Sequence, residues 1–123
     1  MQECLIKAEE ALKAANLCYD HGLHDSCASR CYYAMFWAAI AALEWAGSPS
    51  QKWNHSGLSS VFGKELVKKR RLLSPTLAGR LGDGYDLRRL ADYERRPVGK
   101  KRTKRVLDGA RKFVACVKEV VTK

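Results

Sequence analysis

Residues 28–47, ASRCYYAMFWAAIAALEWAG, decide the fold. The stretch is apolar almost all round, so as a helix it offers no face to water. A bilayer is spanned by about 20 apolar residues. Arg30 near one end and Glu44 near the other leave this run short of that length, and nothing else in the chain is membrane-like. The stretch therefore reads as the central helix of a bundle, buried on most sides. Ala34, Ala38, Ala42 and Ala46 recur every four residues along it. Such a smooth stripe lets another helix approach closely, and the expectation is a seam between two copies of the chain, with packing inside one bundle as the alternative.

The rest of the chain supplies helices to surround it. Residues 2–20 put Leu5, Ala8, Leu12, Ala15 and Tyr19 on one face and Glu9, Glu10 and Lys13 on the other, and Gly22 closes that helix. Asp25 or Ser26 can cap the central helix, which Gly47 and Pro49 stop at about Ala46. After the polar loop SPSQKWNHSG, residues 57–69 predict a third helix with Leu58, Val61, Phe62, Leu66 and Val67 inward. Ser74–Pro75 is a strong start signal for a fourth, reaching about Tyr93, although Gly79, Gly82 and Gly84 weaken it by roughly 1 kcal/mol each relative to alanine. RRPVGKKRTKR (95–105) breaks the pattern and is expected to be mobile, since like charges repel and Pro97 and Gly99 interrupt a helix. Val106, Leu107, Ala110, Phe113, Val114, Val117 and Val121 then mark the last helix. No stretch alternates as a half-buried strand does. The reading is one all-α domain over residues 1–123, an up-and-down bundle of four to five helices.

Charge is distributed unevenly along this bundle. The formal net charge is +10, and residues 64–105 hold 15 Lys/Arg against 5 Asp/Glu. Outside that segment the two signs nearly balance. So localised a positive field favours a polyanion or an acidic protein partner over mere solubility. The five cysteines, at 4, 18, 27, 31 and 116, are odd in number and include no CxxC, and no signal peptide is visible. Reduced thiols in the cytoplasm are the expectation. His21, His24, Cys27 and Cys31 follow at spacings of three, three and four, which suits zinc. Cys27 and Cys31 nevertheless fall on the apolar central helix, where buried cysteine acts as a small hydrophobe. No metal and no cofactor are expected.

The sharpest chemical feature is GYDLRRLADYERR, residues 84–96. On a helix Arg88 lies one turn before Asp92. Arg88 can bind phosphate oxygens bidentately while Asp92 orients its guanidinium, and Tyr93 offers a hydroxyl to phosphate or a ring to a base. The competing reading is a structural Arg–Asp pair with Tyr93 anchored on the bundle. Arg30, facing Tyr33, carries the same two readings. Around this turn Arg89, Arg95, Arg96, Lys100, Lys101 and Arg102 are candidate ligands for an anion or RNA. Other chemistries fit poorly. The glycines of GRLGDGYD follow no strand and precede no Lys-Ser/Thr pair, no serine sits in a nucleophile elbow, and no recognition helix for DNA stands out.

SRCYYAMFWAAIAALEWAG, NHSGLSSVFGKELV and RRLADY, in that order, resemble the HEPN domain family, and within it the branch with an Arg-x-x-Ala-Asp-Tyr signature. The likeness runs from Leu12 into the last helix. It implies a bundle of four or five helices that usually dimerises. Many members pair with a minimal nucleotidyltransferase, often as toxin–antitoxin modules, while others are metal-independent ribonucleases or nucleotide-binding modules. Ribonuclease members carry an arginine, four to six residues, then a histidine. Arg88 matches the arginine, but the corresponding position holds Tyr93, whose ordinary pKa near 10 suits it poorly to proton transfer at neutral pH. The histidine in another matching motif is His55, of NHSG, and a substitute site of His55, Arg88, Asp92 and Tyr93 requires the bundle to bring it to the Arg88 turn. The expectation is a module that binds RNA, a nucleotide or a nucleotidyltransferase partner. The alternative is an RNA endonuclease with an altered Arg-x4-Tyr site.

Overall fold

The computed structural model describes residues 1–123, and it is an all-α bundle. Helix α1 (Gln2–Asp20) buries Ala8, Ala11 and Ala15, with Leu5, Leu12 and Tyr19 half-buried beside them. Gly22, at φ +72°, reverses the chain, and the Leu23 amide donates to the Cys18 carbonyl at 2.8 Å. Helix α2 (His24–Trp45) follows at once. It is the hub of the bundle, packed against α1, α4 (Pro75–Tyr93) and α5 (Lys100–Val121). Gly47, at φ +81°, ends the helical path, and the Ser48 amide donates back to Leu43.

Two expectations about α2 are corrected. Neither Asp25 nor Ser26 caps it: the cap position is Leu23, with no side-chain hydrogen bond. Asp25 instead accepts from the Val98 amide at 2.9 Å, which ties the distant α4–α5 connection to the start of α2. The alanine stripe is not a surface for a second copy. Ala34, Ala38 and Ala42 are 0% exposed, because the helices of the same chain already cover them. The small side chains serve close packing within one bundle.

Helix α3 (His55–Phe62) is capped by Asn54, whose Oδ1 accepts from the Gly57 amide at 2.7 Å. The expected single helix 57–69 is in fact two segments, since Gly63–Lys69 widens into a π-helix. Leu58, Phe62 and Leu66 are all buried, and a spacing of four fits either pitch, so periodicity did not separate them. Arg70 then donates to the Ala46 carbonyl at 2.8 Å and fastens this segment to the end of α2.

Ser74 caps α4 as read, accepting from the Leu77 amide at 3.1 Å, with Pro75 in the first turn. Gly84 is more than a weak helix former. It is buried against α2, where a Cβ would stand 2.4 Å from Met35 Cε. Helix α5 starts at Lys100, earlier than its apolar pattern, and buries every apolar position assigned to it. Phe113 stacks on Phe62 with ring centroids 5.3 Å apart, at the centre of the core.

The segment RRPVGKKRTKR is not a mobile loop. Lys100 onward is helical, Val98 is buried and held by Asp25, and Thr103 is fully buried with its hydroxyl donating to the Gly99 carbonyl at 2.8 Å. Two anchors on apolar or polar neighbours outweigh the repulsion of exposed side chains that point to water. No helix is long and apolar enough to cross a membrane.

Candidate functional site

Tyr32 is the centre of the Arg88 region. Its ring, 3% exposed, meets Tyr33, Phe36, Tyr85 and His55 at centroid distances of 5.4, 5.8, 5.6 and 5.7 Å. Helix α4 brings Tyr85 and Arg88 to it on one face, three residues apart. The Arg88 guanidinium lies over Tyr32 at 5.5 Å and over Tyr33 at 5.2 Å. Its Nε is buried and stands 3.3 Å from Asp92 Oδ2, close enough for ionic attraction but without hydrogen-bond geometry. Arg30 is exposed and rests on the same Tyr33 ring, also at 5.2 Å.

His55 arrives from the start of α3. Its ring stacks on Tyr85 at 3.8 Å and 7°, and its Nδ1 shares a hydrogen bond with the Tyr32 hydroxyl at 3.2 Å. Burial lowers the His55 pKa, with Asp86 pulling the other way, so the imidazole is neutral at pH 7. Burial also pushes the Tyr32 hydroxyl up to about 12 despite the nearby Arg88 charge. His55 and Arg88 thus converge on one tyrosine. The chemistry available there is a neutral imidazole and a protonated phenol beside a fixed cation.

Tyr93 stands apart from that cluster. It is 78% exposed, and the cation over its ring is Arg89, at 5.8 Å, which also overlies Tyr85. Tyr93 faces a second region, the elbow between α4 and α5. An open groove of about 630 Å³ lies there, lined by Tyr93, Glu94, Arg95, Arg96, Pro97 and Arg102 among others. Lys100 and Lys101 are exposed on the adjoining first turn of α5. Arg30, Arg89, Arg95, Arg96, Lys100, Lys101 and Arg102 all lack a carboxylate within 4.0 Å. The first turn of α5 holds no acid, and its cap, Gly99, has no side chain to accept a hydrogen bond. Cations at the positive end of a helix dipole oppose it, and an anion there relieves both.

Sequence reasoning named the charged groups but missed the platform of Tyr32 and Tyr85. The spacing of Tyr85, Arg88 and Asp92, which share one face of α4, was the available signal. The residues whose spacing suits zinc are placed as follows. Cys27 and Cys31 are fully buried with their sulfurs 3.8 Å apart, His24 packs by Tyr19 at 5.6 Å, and no three of the His, Cys, Asp or Glu side chains are placed to hold a metal ion.

Comparison with known proteins adds relatives to this geometry. The HEPN domain family matches residues 1–120. A UPF0332 protein of Gloeobacter violaceus is 39% identical over 92 residues, covering 75% of this chain and 71% of the relative. A UPF0332 protein of Archaeoglobus fulgidus is 32% identical over 118 residues, covering 95% and 91%. A candidate toxin of Methanocaldococcus jannaschii is 32% identical over 94 residues, 76% of this chain but 62% of that protein.

Proposed function

This chain belongs to the HEPN domain family, and from that premise we propose that it is the RNA- or nucleotide-binding module of a toxin–antitoxin-type system. The observation that carries the reading is the α4–α5 elbow, where exposed Tyr93 and the unpaired Arg95, Arg96 and Arg102 line one groove. Guanidiniums take phosphate and an exposed ring takes a base, a combination suited to single-stranded RNA. The likeness to a candidate toxin supports the system, and family resemblance supports a minimal nucleotidyltransferase as partner. The proposal includes a cytoplasmic homodimer, formed through a face other than the buried alanine stripe.

The test is fluorescence anisotropy with a single-stranded RNA over a range of KCl. Three phosphate-contacting arginines give a log–log slope of about −2 or steeper for a single strand. Binding that ignores salt, or no binding, refutes the reading.

A second reading, a metal-independent RNA endonuclease with an altered Arg-x4-Tyr site, is favoured by one observation: neutral His55 shares a hydrogen bond with Tyr32 beneath Arg88. In that reading His55 accepts the proton and Arg88 steadies the phosphate. It ranks second because Arg88 is already occupied by two rings and Asp92, and Tyr93 lies outside the cluster.

A further inference from the structure

Beyond the elbow groove, the seam between α4 and α5 holds a second pocket, of about 170 Å³, lined by Arg80 and Asp83 from α4 and by Arg102, Arg105, Val106 and Gly109 from α5. It shares Arg102 with the elbow groove, so the two pockets are neighbours along the seam. Gly109 allows the arrangement. A Cβ there would stand 3.0 Å from Arg80 Nη1 and 3.4 Å from its Cδ, so Arg80 lies against bare α5 backbone. None of the three arginines has a carboxylate within 4.0 Å, and Asp83 pairs with none of them at that distance. Three guanidiniums and one carboxylate around one pocket leave a surplus of positive charge that a bound anion would relieve. Asp83, in the same lining, accepts hydrogen bonds and donates none, so a ligand that carries a hydroxyl donor beside its negative charge complements the pocket.

We infer that this pocket seats one ribose-phosphate unit of an RNA strand, the phosphate on Arg80, Arg102 and Arg105 and the 2′-hydroxyl donating to Asp83. The site rests on the RNA-binding reading and extends it, since the strand continues from the Tyr93 groove along the seam. It also gives the chain a means of preferring RNA to DNA. With the 2′-hydroxyl absent, Asp83 would face the phosphate charge with nothing to accept from.

The experiment compares one mixed-sequence single-stranded RNA with the matching DNA, by anisotropy across a KCl series. The chains are the unaltered protein, Arg80→Gln, Arg105→Gln, Asp83→Ala and a control, Lys13→Gln, on α1, which does not pack against α4. Circular dichroism melts confirm that each is folded. The expected result is RNA binding about tenfold weaker in each arginine variant, with the salt slope shallower by about 0.7, and little change in the control. Asp83→Ala strengthens DNA binding more than RNA binding and brings their ratio close to one. If the unaltered chain binds no RNA, the RNA reading falls and this site with it. If it binds RNA but the arginine variants match Lys13→Gln, or Asp83→Ala leaves the RNA-to-DNA ratio unchanged, this site alone is overturned.

Discussion

Arg88 rests on the rings of Tyr32 and Tyr33 beside Asp92, whereas Arg95 and Arg96, just past the end of the same helix, and Arg102, at the start of the next, face an open groove and pair with no carboxylate within 4.0 Å, although Glu94 shares the lining. The residue type is the same and the surroundings are opposite. In the first region, ring faces and a carboxylate offset the desolvation of a guanidinium, and the arginine is part of the fold. In the second, three guanidiniums and an uncapped helix start outweigh the single carboxylate of Glu94, and an external anion relieves the surplus. A sequence motif marks where charges lie. Neighbours brought from other helices decide whether those charges are already satisfied.

The largest effect that tests this contrast is removal of the platform. Tyr32→Ala empties the centre of the aromatic cluster and is expected to cost about 3–5 kcal/mol in urea unfolding. Arg88→Gln follows, at about 1–2 kcal/mol, with RNA affinity nearly retained. Unchanged stability together with lost RNA binding would reverse the roles given to the two regions. Tyr32→Phe keeps the ring and loses the hydrogen bond to His55, for about 1 kcal/mol. Arg95→Gln and Arg102→Gln sit at the other extreme. Each leaves stability within about 0.5 kcal/mol while making the salt slope of RNA binding shallower by about 0.7.

The pH dependence sharpens the same contrast. The folded chain holds His55 below its ordinary value of 6.5, so on acidification the unfolded chain takes up this proton first. The contribution is fully present above about pH 6.5 and is lost as pH falls through the folded-state pKa. Urea midpoints between about pH 7.5 and pH 5.5 are expected to fall, and His55→Gln to flatten part of that slope. An unaltered slope in the variant would mean that His55 is not held neutral by the fold.

Much of the fold was legible in the sequence, because helix ends and apolar spacing are local signals. Ser74–Pro75, Gly22 and Gly47 mark boundaries through their own backbone chemistry, and the structure uses all three. What stayed hidden is long-range. Asp25 resembles a cap until Val98 is seen beside it, and the alanine stripe looks free until the covering helices are in place. The basic segment looks mobile until the burial of Val98 and Thr103 is known. For the candidate site, the charged residues were evident in the sequence. The division of RRLADY between Arg88 on the Tyr32 platform and Tyr93 on the groove was not, since it depends on α2 and α3.

The most direct test is to incubate the purified chain with a mixed RNA pool in EDTA and measure both the RNA retained and its length. Retained RNA at full length, released by salt, is the result expected of a binding module whose Arg88 belongs to the fold. Shortened RNA that disappears with His55→Ala and with Arg88→Ala, both still folded, would contradict it and make the Tyr32 cluster the active site.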